Sequence, residues 1–307
     1  MTIRVFALLV FVAAFAMACG GSEESSPEQA ANQMAQAHEG DRPDATDATR
    51  TPAVPVSGRM VAYHTTDAGT AVQGFLAAPE RPDSLLEARG LTPSTTNLPG
   101  IVVIHEWWGL NDNIRRATRR LAGQGYRALA VDLYGGESAD DPSGARTLMQ
   151  ATMKDREAVR ANLDAAHNHL RQDAESPRVA VMGWCFGGGM TLQAAIDQPD
   201  RFNGAVIYYG SVGDVTRDDL APVAFPLLGH FGSEDQTIPV EDVERFEAML
   251  NDLGKDAQIH LYEGVGHAFA NPSGTTYEEE AAATAWERTT AFLDRTLYQP
   301  LAGKTSD

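Results

Sequence analysis

The sequence predicts an α/β protein built on one mostly parallel, doubly wound sheet, with helices on both faces and an N-terminal antiparallel edge hairpin. Three observations carry this. Six short, largely apolar runs read as strands: Gly100–Ile104, Ala128–Asp132, Val179–Gly183, Ala205–Tyr209, Pro226–His230 and Gln258–Tyr262. Amphipathic stretches at 112–124, 155–172, 187–197, 240–252 and 278–297 separate them. Strands without polar alternation are buried on both faces, which calls for helices above and below a parallel sheet. Ahead of them, Met60–Tyr63 and Ala71–Ala77 flank the turn signal Asp67-Ala68-Gly69 and supply the hairpin. Residues 81–99, rich in Pro, Ser, Thr and Asn, read as an exposed excursion.

The N-terminal segment has a different character. Arg4 precedes an apolar run, Val5–Met17, that is too short to span a bilayer and fits the apolar region of a signal peptide. Ala16-Met17-Ala18-Cys19 resembles a bacterial lipobox, in which the cysteine is lipidated and becomes the mature first residue. From Gly20 to about Pro55 large apolar residues are almost absent, so the segment cannot bury enough surface to offset its ordering entropy. The expected organisation is a signal peptide over 1–18, a lipidated Cys19 and flexible tether over 19–55, a folded domain over 56–299 and a tail over 300–307. An exported protein, anchored to the membrane by lipid and facing the periplasm or cell exterior, is the expectation.

Composition excludes several classes. Lys+Arg is 24 against Asp+Glu 42, a formal net charge of -18, and so acidic a surface repels a phosphate backbone. Two cysteines do not make a disulfide framework. A monomer without nucleic-acid partners is expected.

The chemistry centres on Cys185. Gly183-Trp184-Cys185-Phe186-Gly187-Gly188-Gly189 runs from a buried strand into a helix. It reads as a nucleophile elbow, with cysteine where G-x-S-x-G carries serine. The elbow presents sulfur at a helix N-terminus, where amide dipoles favour the thiolate. On such a scaffold an acid and then a histidine follow the nucleophile in the chain. Of eight histidines His267 fits best, in the loop Gly264-Val265-Gly266-His267 after the last strand. Asp235 is placed to fix its tautomer, with Glu234 as the rival. His167 and His169 read as solvated, His230 and His260 as strand packing, and His38 lies in the tether. His105-Glu106-Trp107-Trp108-Gly109 lacks the second histidine of H-E-x-x-H, and no His/Cys cluster has metal-ligand spacing. No metal and no cofactor is expected.

These motifs, with Asp132-Leu133-Tyr134, Gly232-Ser233-Glu234-Asp235-Gln236-Thr237-Ile238-Pro239 and Gly266-His267-Ala268-Phe269, together resemble the dienelactone hydrolase (carboxymethylenebutenolidase) family. The resemblance spans about 60–298. It implies an α/β-hydrolase fold and a Cys185–His267–Asp235 triad that opens an ester or enol-lactone through a thioester acyl-enzyme. It also implies that the Glu106 carboxylate helps control ionisation of the resting cysteine, and that the backbone N–H groups of Trp107 and Phe186 form the oxyanion hole. Family members proper carry an arginine where Asn271 stands here, so the substrate is expected to differ from dienelactone itself. Tyr134, Arg146, Phe269 and Asn271 are candidate substrate contacts. The expected function is hydrolysis of small esters, lactones or thioesters. The alternatives are a non-catalytic lipoprotein binding module on the same scaffold and a thiol-redox sensor.

Overall fold

The computed structural model describes residues 51–302 together with His38, Gly40 and Asp41. The expected signal peptide, Cys19, most of the tether and the tail beyond 302 lie outside the described residues. Eight strands form one sheet: β1 (Val56–Thr65), β2 (Ala71–Pro79), β3 (Gly100–Ile104), β4 (Arg127–Ala130), β5 (Val179–Trp184), β6 (Ala205–Tyr208), β7 (Leu227–Gly232) and β8 (Ala257–Tyr262). Their order is β1-β2-β4-β3-β5-β6-β7-β8. β1 and β2 pair antiparallel, as β2 does with β4, and every other pairing is parallel.

Successive side chains of a strand face opposite sides, and both sides are covered here. Val103, Ala130, Met182 and Tyr208 pack against α2 (Asp112–Gly123) and α8 (Glu279–Leu293). Their neighbours Val102, Leu129, Val181 and Ile207 pack against α4 (Arg156–Asn168), α5 (Phe186–Asp197) and α7 (Val240–Asp252). The two faces therefore explain why no polar alternation was visible in these strands.

The helix expected over 155–172 is an α-helix to Asn168 continued by a π turn, His169–Asp173, and the one expected over 278–297 ends likewise in Asp294–Tyr298. Two corrections concern residues read as loop. Within 81–99, Pro82–Ala88 forms a helix (α1) that starts on Pro82 and buries Leu86; seven residues are too few for a periodic signal. Pro142–Met153 is also helical (α3). Asp141 caps it, accepting from the N–H groups of Ser143 and Gly144, and Ala145 and Met149 share its buried face. An aspartate before a proline is a helix-start signal that was present in the sequence.

The chain runs from β3 outward to β4 and then returns to β5 on the other side of β3. Ligand crevices in open α/β sheets form at such a switch point, at the carboxyl ends of the strands. His105-Glu106 leave β3 there, and Cys185 leaves β5.

Candidate active site

Cys185 joins β5 to α5 with φ of 57°, a left-handed conformation that side chains other than glycine rarely adopt. The turn survives because its neighbours lack side chains. A Cβ on Gly183 would stand 2.4 Å from the Gly187 carbonyl oxygen, and one on Gly187 would stand 2.5 Å from those of Ile104 and His105. The same residues bring the sulfur close to β3, so the loop after β3 supplies its surroundings. Cys185 makes no side-chain cap for α5. Instead the backbone N–H groups of Phe186 and Trp107 hydrogen-bond toward the sulfur and favour its charged form. Burial outweighs them: with the charges of Glu106 and Asp235 as lesser contributors, it pushes the Cys185 thiol well above its ordinary value.

His267 and Asp235 come from the loops after β8 and β7. The His267 Nδ1 lies 2.8 Å from an Asp235 carboxylate oxygen. The other oxygen accepts from the N–H groups of Thr237, at 2.8 Å, and Ile238, at 3.0 Å. The acid is thus held by its own turn, whereas Glu234 is exposed. With Nδ1–H donated to Asp235, the His267 Nε2 carries a lone pair, and this buried atom has no hydrogen-bond partner among the described residues.

The largest departure from expectation is His38. It is fully buried, and its Nε2 lies 3.5 Å from the Cys185 sulfur. Its ring stacks on Trp107 at 4.8 Å between centroids and meets His267 edge-on at 5.4 Å. Its Nδ1 is 2.7 Å from an Asp41 carboxylate oxygen, and Asp41 also accepts from the Thr275 N–H at 2.6 Å and hydroxyl at 2.8 Å. A residue assigned to the tether therefore covers the Cys185 sulfur. His167 is a smaller correction: it is buried edge-on against Phe202. His230 sits in the core as expected, its ring nitrogens bonded to Tyr262 and Thr289.

Glu106 is buried, and one carboxylate oxygen accepts from the Asn271 amide at 2.9 Å while the other has no partner among the described residues. Burial, reinforced by the charge of Asp41, raises its pKa to about 8, although the Asn113 and Asn271 amides favour the ion. Near neutral pH the group is mostly a neutral acid, and burial contributes more than its charge does to keeping Cys185 protonated. A carboxyl whose pKa is raised by folding contributes stability that is present below its unfolded value of 4.5 and lost as pH rises through about 8. Glu106→Gln should therefore gain stability relative to wild type across that window, by at most on the order of 4–5 kcal/mol. Urea unfolding of both proteins at pH 5 and pH 9 checks this; an unchanged difference between the two pH values would refute it.

The four candidate substrate contacts separate. Asn271 holds Glu106, accepts from the Asn113 amide at 3.0 Å and lines the adjoining cavity. Tyr134 donates its hydroxyl to the Trp107 carbonyl at 3.1 Å and so braces the loop after β3. Phe269 is core, packed on Tyr209 and Tyr262. Arg146 lies on α3 and does not line the cavity. That cavity, about 700 Å³ with its open mouth, runs from Glu106 and Asn271 between Ile114, Trp184, Tyr209 and Trp286. Tyr209, which the sequence did not single out, lines it with its ring edge-on to His267 at 5.3 Å.

Residues 86–297 match the dienelactone hydrolase family. The chain belongs to that family. A Saccharolobus solfataricus protein bearing the name carboxymethylenebutenolidase is 30% identical over 263 residues, covering 74% of this chain and 95% of that protein. An Escherichia coli K12 protein of the same name is 32% identical over 233 residues, covering 71% and 84%. Among solved structures, a dienelactone hydrolase from Klebsiella pneumoniae superposes with a TM-score of 0.66 at 26% identity, over 78% of this chain and 99% of that one. An acylaminoacyl peptidase, at 18% identity and a TM-score of 0.60, covers 79% of this chain and 42% of its own and shares the fold. Family membership makes the chain a carboxylic ester hydrolase on the α/β-hydrolase fold.

Proposed function

We propose that this dienelactone hydrolase homologue is an exported, lipid-anchored cysteine hydrolase of small esters, lactones or thioesters, working through Cys185, His267 and Asp235. The observation that carries the reading is the convergence of three elements on one point. The strained elbow presents sulfur, a carboxylate-held imidazole points Nε2 into the site, and two backbone N–H groups stand at the sulfur. In this mechanism His267 Nε2 takes the thiol proton as sulfur attacks the carbonyl carbon. The carbonyl oxygen gathers negative charge against the N–H groups of Phe186 and Trp107. The tetrahedral adduct then expels the alcohol, which takes the proton from His267 and leaves a thioester on Cys185. A water activated by His267 hydrolyses that thioester. Because His38 covers the sulfur, its ring has to withdraw before an ester carbonyl reaches Cys185.

The acyl-enzyme gives the direct test. Acid quenching during turnover of p-nitrophenyl acetate should leave an acetyl group on the peptide holding Cys185, seen by mass spectrometry. Acetyl found on another peptide, or on none while ester is consumed, would overturn the covalent route.

The anchor stands on Cys19 and the apolar run before it. A radioactive fatty acid should label the protein in cells, and Cys19→Ala should abolish the label. Unlabelled wild type recovered from the soluble fraction would refute anchoring and leave the hydrolase reading untouched.

A further inference from the structure

We infer that His38, Cys185 and His267 form a binding site for one zinc-class transition-metal ion, which His38 completes over the Cys185 sulfur. One ligand atom from each of the three buried side chains lies within 4.8 Å of the other two. Zn–N bonds of about 2.0 Å and Zn–S bonds of about 2.3 Å at the tetrahedral angle place nitrogen about 3.5 Å from sulfur. The His38 Nε2 to Cys185 sulfur distance is 3.5 Å. Closing the third ligand takes a side-chain movement of no more than about 1.5 Å.

The surroundings of the two imidazoles point the same way. Each histidine is held through Nδ1 by a buried carboxylate, His38 by Asp41 at 2.7 Å and His267 by Asp235 at 2.8 Å. This carboxylate–histidine arrangement fixes the tautomer that leaves the Nε2 lone pair for a metal. Asp41 is in turn fixed by two hydrogen bonds from Thr275, so the segment is anchored on the loop after His267 rather than resting on shape alone. The His267 Nε2 is buried and without a hydrogen-bond partner among the described residues, while the Nδ1 of that ring is taken by Asp235. A catalytic triad explains one carboxylate-held histidine beside the sulfur; it gives no reason for a second.

A donor set of two imidazole nitrogens and one thiolate suits zinc, cobalt(II) or copper and disfavours magnesium and calcium. Binding replaces the Cys185 S–H bond by a sulfur–metal bond and releases that proton to solvent. The thiolate, Asp41 and Asp235 then surround the divalent ion with three negative charges, and water fills the fourth position. A sulfur bound in this way cannot attack an ester, so the loaded protein is a latent form. The inference shares residues with the proposed triad but does not rest on turnover, since binding is read without substrate.

The experiment is a titration of the chelator-treated full chain with cobalt(II), followed by absorption and then by displacement with zinc. Wild type should take up one equivalent, with a thiolate-to-cobalt charge-transfer band and the intense visible bands of four-coordinate cobalt. Cys185→Ser should remove the charge-transfer band, which excludes Cys19 as its source. His38→Ala should weaken binding at least ~100-fold, and Asp41→Asn, which keeps all three ligands, by ~10–100-fold. Absence of the band in wild type would overturn the inference. So would wild-type cobalt affinity in His38→Ala, which would leave His38 as a hydrogen-bonded strap over the sulfur. Melting curves of the variants accompany the titration; should His38→Ala fail to fold, the wild-type band and the Asp41→Asn shift still decide.

Discussion

Cys185→Ala is expected to lower kcat for p-nitrophenyl acetate by at least ~10⁴-fold, the scale on which loss of a nucleophile acts in triad enzymes. The substitution removes one sulfur atom from a fully enclosed position and leaves the φ of 57° to an alanine of similar backbone demand. The fold should therefore survive, and a melting curve close to that of wild type belongs to the expected result. The residual rate measures what the oxyanion N–H groups and the cavity supply without covalent chemistry. An alanine variant that turns over ester within tenfold of wild type would mean that Cys185 is not the nucleophile, whatever the elbow looks like. That outcome would shift the weight to a water attacking directly or to a binding module.

His267→Ala is expected to cut kcat by at least ~10³-fold, because its Asp235-held ring is the base that this route uses between sulfur, alcohol and water once the His38 ring has withdrawn. His230→Ala is its control. Both histidines are buried and each partners a side-chain oxygen, but they do different things. His230 links the Tyr262 hydroxyl, at 2.9 Å, to the Thr289 hydroxyl, at 3.0 Å, inside the core. Its loss leaves a cavity and two buried hydroxyls short of a partner, at a cost of about 2–4 kcal/mol in stability with kcat close to wild type. The two variants separate catalysis from packing within one experiment. Equal activity losses, with both proteins folded, would show that the triad has been misassigned.

Much of the scaffold and part of the site are legible in the sequence. The turn at Cys185 is a local device: a strand, a residue in a left-handed conformation and glycines at the two places where the backbones of β3 and α5 approach it. Consecutive residues encode all of that. His267 and Asp235 were accessible for a related reason, since each sits in a loop directly after a strand, and strand ends converge at one edge of a parallel sheet. Their pairing needed no contact information beyond chain order. The helices α1 and α3 are not legible in this way, because the first is too short to show a period and the second begins in a segment that reads as a turn.

Read alone, the chain already specified the parallel sheet, the glycine-flanked turn at Cys185, the order of Cys185, Asp235 and His267 at the strand ends, and membership of the dienelactone hydrolase family. What surrounds the sulfur was decided only in three dimensions. Asn271 reaches Glu106 across 165 residues of chain, and the burial of that pair, not the acid's position after β3, makes Glu106 a mostly neutral group near pH 7. His38 reaches Cys185 across 147 residues, from a segment whose composition predicts no packed structure at all. Its place is set by the face of Trp107, the Asp41 carboxylate and the Thr275 hydroxyl. None of these is near it in sequence except Asp41. Patterning reports how a residue relates to its neighbours in the chain; burial and metal-ligand geometry depend on which distant surfaces the fold closes around it.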